Sequence, residues 1–525
     1  MPRAAAAPRT LEASDVFVTF VCLYLFSASA SGPFGDAAPM WEAAQNLVRH
    51  GTVAIGERWP VNAPVGRNGH YYPVSALLAI LVHVPGALLH AALAAAVPER
   101  AQVFTVITSQ LGPILVGALT PALLYRLLRG RLGHGRRAAA WTALLLGAGT
   151  SLWVYARCPY SEIVQAAAFL VFFAALLGAG ETCGRGTFLR LGLAFGLLVN
   201  AKNVYAVCLP GALVFLWARH RAQPRALAGA LGWGAAGTLP GLLALAAYNL
   251  CRWGSPFASG YEAVTGGFWT HNPLWGLWGL LLSPGKSLFL FSPPLLLALA
   301  GLPRLVARRR PVALALALTV GPVLLVYTRY LFWSGDWGWG PRYLVFALPV
   351  LMIPAAELLG EPASFGRGLR VALGAALAAG IAVQALGCAV RWDAFIDVAR
   401  EAQRAWLGRP DPRGNVLAPY ECFSCFEEVY AVQWLPPMQP IAGHWWLLRH
   451  YAADDDWRTA AADAPWTRYT SLPLDISDSY GQAGVDWWLA AVPRGRRLPA
   501  TIVIFSLLAL ATPRRAWRRA LAAGA

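Results

Sequence analysis

One carboxylate in this chain is hard to explain by packing. Asp36 stands a few residues past the first hydrophobic segment, in the run Gly-Pro-Phe-Gly-Asp at 32–36. An ionisable group at the lip of a membrane helix is expensive to place, so it points to a functional site at the outer membrane surface. The alternative is a side chain that caps the amphipathic stretch behind it. Only two of the 43 Lys and Arg residues are lysine. Lys202 and Lys286 both fall at outer helix ends, where an ammonium suits point-charge contact with a phosphate; survival under a codon bias toward Arg is the bland reading. Arg157 and Glu162, five apart across a helix start, read as well as a surface ion pair as site groups. Trp333, Trp337, Trp339 and Tyr343 suit either an interfacial aromatic belt or a sugar platform. His70, His83, His90, His271, His444 and His450 show no metal-ligand spacing.

The elements that must hold these groups are membrane helices. Of 525 residues 57% are hydrophobic and 13% charged, and the mean hydropathy is +0.49. Too few charges remain to cover soluble domains of that size. The net charge of +17 does not mark a nucleic-acid partner, because the arginines bunch in short breaks between apolar runs: 126–137, 219–225, 304–310 and 514–519. That is the positive-inside pattern of a protein surrounded by membrane lipids.

Apolar segments near 16–31, 101–126, 138–156, 162–180, 187–201, 203–218, 226–248, 285–303, 311–333, 343–359, 368–390 and 497–513 predict about twelve membrane spans, with both termini cytoplasmic. Val74 to Val97 is apolar too. Counting it as a span would carry every later arginine cluster outside, so it is expected as a non-spanning or re-entrant helix at the outer face. The start, with Arg3, Arg9 and Ser-Ala-Ser-Ala before Gly32, imitates a cleavable signal peptide; retention is expected, because the loop carrying Asp36 needs an anchor.

The domains follow as 1–390, a membrane part that carries Asp36; 391–496, an extracytoplasmic domain or long loop; and 497–525, a last span with a basic cytoplasmic tail. The outer loop 32–73 holds one amphipathic stretch, Ala38 to His50, suited to lying on the membrane. The stretch 391–496 carries fourteen of the 26 acidic residues and several tryptophans, as a small outer domain would. Six of the eight cysteines lie in or beside spans and behave as small apolar residues. Cys422 and Cys425 read as a redox motif, a local disulfide or two free thiols.

Several motifs together resemble the GT-C glycosyltransferases, the multi-span enzymes that include protein O-mannosyltransferases and lipid A aminoarabinose transferases. They are Asp36 in the loop after the first span, Gly-His-Tyr-Tyr-Pro at 69–73, Tyr-Ala-Arg-Cys-Pro-Tyr-Ser-Glu at 155–162, Gly-Leu-Leu-Val-Asn-Ala-Lys at 196–202, Ser-Pro-Gly-Lys-Ser-Leu-Phe-Leu-Phe-Ser-Pro-Pro at 283–294 and Trp-Ser-Gly-Asp-Trp-Gly-Trp-Gly-Pro-Arg-Tyr at 333–343. The resemblance spans roughly residues 15–390. It implies an all-α GT-C-like bundle and transfer of a hexose or pentose from a polyprenyl phosphate to a hydroxyl of a glycan, lipid or protein on the outer face.

In that chemistry Asp36 is the carboxylate that orients or deprotonates the acceptor, and Arg157, Lys202, Lys286 and Arg342 are the cations aimed at the departing phosphate. Glu42, Tyr71, Tyr72, Glu162, Asp336, Trp337 and Tyr343 fall on the implied substrate side. The acidic pair often found in the family's first loop is a single Asp here, with Glu42 six residues on, which leaves a divalent cation and the acceptor type open. No Rossmann fingerprint or P-loop is present, and no redox cofactor is required. The rivals are a transporter or flippase for a lipid-linked sugar and a non-catalytic envelope scaffold. Transporters place ionisable groups at midspan, whereas here polar chemistry gathers at outer ends and loops.

Overall fold

The computed structural model describes residues 10–56, 63–262, 269–335, 338–360, 366–392, 395, 430–453 and 513–522. Among them every regular element is a helix; the only β pairings are the isolated bridges Ile55 to Tyr71 and Val65 to Tyr71. Seven described helices are long and apolar enough to cross a membrane: Leu77–Ala96, Pro98–Gly130, Glu162–Ala179, Pro224–Trp253, Arg310–Arg329, Arg342–Leu359 and Arg367–Ala389. The chain is a multi-pass membrane protein.

Several other expected spans are present as shorter helices, and the breaks have local causes. Residues 138–156 divide at Thr150, which takes an extended conformation between Arg136–Gly149 and Leu152–Ala156. Residues 285–303 divide at Ser292-Pro293-Pro294, between Leu288–Phe291 and Leu295–Arg308, where proline cannot supply the N–H that a continuing helix needs. Leu77–Ala96 has the length and hydropathy of a span, so neither property sets it apart as non-spanning. The segment 497–512, the pair Cys422 and Cys425, and most of 391–496 lie outside the described residues.

The helix Ala37–His50 forms where the amphipathic stretch predicts it and ends on Gly51, whose φ of 67° a glycine adopts without strain. Its expected resting place on the membrane is corrected. The apolar face, with Ala37, Met40, Trp41, Ala43 and Ala44 buried, packs on the protein. Trp41 meets the rings of His83 and His90 edge to face at 6.2 and 5.8 Å. Gln45 and Arg49 reach His90 Nδ1 at 3.1 and 3.2 Å. These polar contacts suit a partner helix, with which buried donors can pair, better than lipid, with which they cannot.

Small residues set one close helix pair. A Cβ on Gly192 would lie 2.0 Å from Gly234 O, and one on Gly241 would lie 2.5 Å from Gly196 Cα, so Arg185–Ala201 and Pro224–Trp253 meet backbone to backbone. Dispersion at such contacts is what holds helices together in lipid. Asn200 adds a polar tie, its Nδ2 donating to Gly196 O and Gly241 O, each at 2.8 Å. Beside this pair, Phe169 packs on Phe346 at 4.8 Å and Tyr205 on Phe346 at 5.1 Å. This aromatic core fixes the starts of Glu162–Ala179 and of the 3-10 turn Arg342–Ala347, the two segments that carry the charges described next.

Candidate active site

Four charged side chains meet at helix ends. Asp36 precedes Ala37–His50, Glu162 opens Glu162–Ala179, Lys202 follows Arg185–Ala201, and Arg342 opens its 3-10 turn. Arg342 joins the two carboxylates: Nη2 donates to Asp36 Oδ2 at 2.5 Å and Nε to Glu162 Oε1 at 2.9 Å. The Glu162 side chain is 3% exposed, Arg342 15% and Asp36 36%. One arm of the bridge is therefore shut inside the protein, and the other opens outward. Glu162 Oε2 is buried with no hydrogen-bond partner among the described residues.

Lys202 completes the group. It takes extended dihedrals that end its helix, and its ammonium lies over the rings of Tyr343 and Tyr327, 4.8 and 5.4 Å from their centroids. Those two rings stack at 4.6 Å and 3°, so a flat aromatic surface carries a cation, a favourable pairing with the ring faces. Glu162, Arg342 and Asp36 all act electrostatically on Lys202. Among the described residues the Lys202 ammonium makes no hydrogen bond. Tyr261 borders the same charges. Burial raises its phenol well above the usual range and the Asp36 carboxylate adds to the rise, so it stays protonated.

The glycines of the 333–343 motif have a steric purpose. A Cβ on Gly335, where φ is 69°, would lie 2.3 Å from Arg342 Cγ; one on Gly338 would lie 2.8 Å from both Arg342 Cδ and Tyr155 Oη. The aliphatic stem of Arg342 runs through this gap, which only glycine leaves open. Two hydrogen bonds then pin consecutive carbonyls of the turn: Lys286 Nζ donates to Gly338 O at 2.7 Å and Tyr155 Oη to Trp339 O at 3.0 Å.

The residues singled out by sequence divide accordingly. Asp36, Glu162, Lys202, Arg342 and Tyr343 are brought together. Lys286 is buried, with its ammonium on Gly338 O beneath the turn. Arg157 and Glu162 do not form a surface ion pair: both are buried, Glu162 pairs with Arg342, and Arg157 Nη1 donates to Ser27 O at 3.0 Å, which fastens the end of the first helix. Asp36 makes no capping hydrogen bond to Ala37–His50, so its side chain does not serve as a cap. Glu42 accepts from Gly56 N at 2.9 Å, Tyr71 sits in the two bridges, and Tyr72 packs edge to face on Trp253 at 6.0 Å; these three organise the first loop. Trp333 and Trp339 are buried core residues, Trp339 packing on Phe291 at 5.0 Å, and so form neither belt nor platform. Asp336 and Trp337 lie outside the described residues.

Sequence reading passed over Tyr155, Tyr160, Tyr261 and Tyr327. Tyr160 stacks on Trp392 at 5.4 Å and lies 5.8 Å below the Arg342 guanidinium; a Cβ on Gly35 would come within 3.1 Å of its hydroxyl. The 155–162 motif contains two of the four, so the signal was their place beside Glu162. Among the described residues no group of three His, Cys, Asp or Glu side chains is arranged to hold a metal ion.

No family model matches the chain, and no curated protein matches it. Solved structures of ArnT from Cupriavidus metallidurans are similar to it: the form bound to undecaprenyl phosphate with a TM-score of 0.45 at 18% identity, and the apo form with 0.47 at 17%, each match covering 88% of this chain and 84% of that one.

Proposed function

We propose that this protein is a GT-C-like membrane glycosyltransferase that moves a sugar from a polyprenyl phosphate to a hydroxyl acceptor on the outer face of the cytoplasmic membrane. The observation that carries this reading is the placement of Asp36, partly exposed, against Arg342 and near Lys202: a base and two cations at one set of helix ends. In the reaction the acceptor oxygen forms a bond to the anomeric carbon and its proton passes to Asp36. The bond from that carbon to the phosphate oxygen breaks, and its electron pair leaves with the polyprenyl phosphate. Lys202 and Arg342 stabilise the charge that appears there, while Tyr327 and Tyr343 offer a flat face beside it. Lys286 and Tyr155 hold the turn that delivers Arg342.

The Arg342 guanidinium already occupies the position between Asp36 and Glu162 that a divalent ion bridging them would need. These residues as arranged do not fit a metal, and Arg342 supplies the positive charge. About twelve crossings remain the topology we favour, with the shorter helices included, Leu77–Ala96 held at the outer face, 391–496 outside, and the basic helix Arg514–Ala522 inside. The arginine clusters support it. A cysteine at Thr52, exposed after Ala37–His50, should react with an impermeant maleimide added outside, and one at Ala222, in the exposed turn before Pro224–Trp253, should not. Labelling of both, or of Ala222→Cys alone, would overturn this topology.

The reading itself is tested by incubating the purified protein with radiolabelled polyprenyl-phosphate sugars and membrane extract. Transfer of label is expected with at least one donor; failure across hexosyl and pentosyl donors would refute the proposal. In the same assay Lys202→Ala should weaken donor use by about 1–3 kcal/mol, the loss of a charge-assisted hydrogen bond. An unchanged Lys202→Ala would return that lysine to codon bias.

A further inference from the structure

Arg342 holds two carboxylates at once, and the two arms of this bridge differ in kind. Its Nε sits 2.9 Å from Glu162 Oε1, on a side chain only 3% exposed, whereas Nη2 meets Asp36 Oδ2 on a side chain 36% exposed. Separating a buried ion pair leaves an uncompensated charge and is strongly unfavourable. Separating a partly exposed pair costs little, because water replaces the lost partner. The Arg342 stem is threaded between Gly335 and Gly338, so the guanidinium has little room to travel; what can leave is the outer carboxylate.

In the state described here Asp36 Oδ2 is engaged by Arg342 Nη2 and so is turned to the guanidinium rather than to an acceptor hydroxyl. We infer that the donor phosphate takes the place of Asp36 on Arg342, so that donor binding itself releases the base, while Glu162 stays in place as a positioning residue that fixes the guanidinium. The inference rests on the polyprenyl-phosphate donor proposed above. The chemistry of the exchange is matched: a phosphate oxygen is an anionic acceptor like the carboxylate oxygen it replaces, and guanidinium pairs with either. Lys202, whose ammonium makes no hydrogen bond among the described residues, adds the differential attraction that lets the phosphate win. The site thereby becomes competent only when the donor is seated, and one oxygen of its base is held on Arg342 when the donor is absent.

The sign of one measurement separates this from a static ion pair. Undecaprenyl phosphate serves as probe, its affinity for the purified full chain in detergent being followed by tryptophan quenching. If Asp36 competes with the phosphate, Asp36→Asn removes the competitor and should bind the probe about 3- to 10-fold tighter, as expected for release of a partly exposed ion pair, although its turnover falls. Glu162→Gln should do the opposite, binding about 10-fold weaker or more as Arg342 loses its anchor, with KM raised along with any change in kcat. Asp36→Ser gives the same reading should the Asn variant fail to fold. Equal or weaker binding by both Asp36 variants would overturn the exchange and leave the donor reading standing. No binding by the parent chain would overturn both.

Discussion

Asp36→Asn is expected to slow turnover by about 10²- to 10⁴-fold, the usual contribution of general-base catalysis, while the protein still folds. The substitution keeps the size of the side chain and part of its hydrogen bonding to Arg342 but cannot take a proton. Little stability should be lost, because the side chain is 36% exposed and makes no capping bond, and pairs at that exposure contribute about 0–1 kcal/mol. Single-turnover transfer from a radiolabelled polyprenyl-phosphate sugar, beside a thermal melt of the detergent-solubilised protein, measures both. Near-parent turnover would remove Asp36 from the mechanism. A variant that does not fold would make the residue structural, against the absence of any cap bond.

Arg342→Met is expected to remove activity and also to destabilise the protein by about 3–5 kcal/mol, as happens when one partner of a buried ion pair is deleted. Methionine fills much of the arginine stem's path between Gly335 and Gly338, so the loss comes chiefly from Glu162, whose side chain is 3% exposed and whose second oxygen has no described partner. Adding Glu162→Gln to Arg342→Met should therefore recover most of the melting temperature and none of the turnover. If the single variant melts like the parent, the bridge is not holding the fold. If the double variant melts no higher than the single one, the loss comes from packing in the glycine gap rather than from an orphaned charge.

How much of this was legible beforehand depends on whether a feature is local. The amphipathic pattern of Ala38 to His50 gives its helix directly, because spacing is a property of a short stretch. What that helix rests on was not readable: an apolar face satisfies lipid and a neighbouring helix equally, and His83 and His90, which decide between them, come from another segment. Likewise Trp333 and Trp339 look like belt residues by type and position, yet burial depends on Gly279 and Gly387 leaving room for their large rings.

By itself the sequence determined the medium, since 57% hydrophobic and 13% charged residues admit little else, and it singled out Asp36 through the cost of a carboxylate at a membrane lip. It also marked the glycine-rich run ending in Arg342 without saying what the glycines were for. The tertiary structure decided the partners. Asp36 and Arg342 stand 306 positions apart and Glu162 and Arg342 stand 180 apart, separations over which local propensity carries no information. It also divided two lysines that looked alike, leaving Lys202 among the charges and turning Lys286 onto a backbone carbonyl. The physical reason is common to all of these: the worth of a charge is set by its burial and by the group it faces, and both exist only once distant helix ends have been packed together.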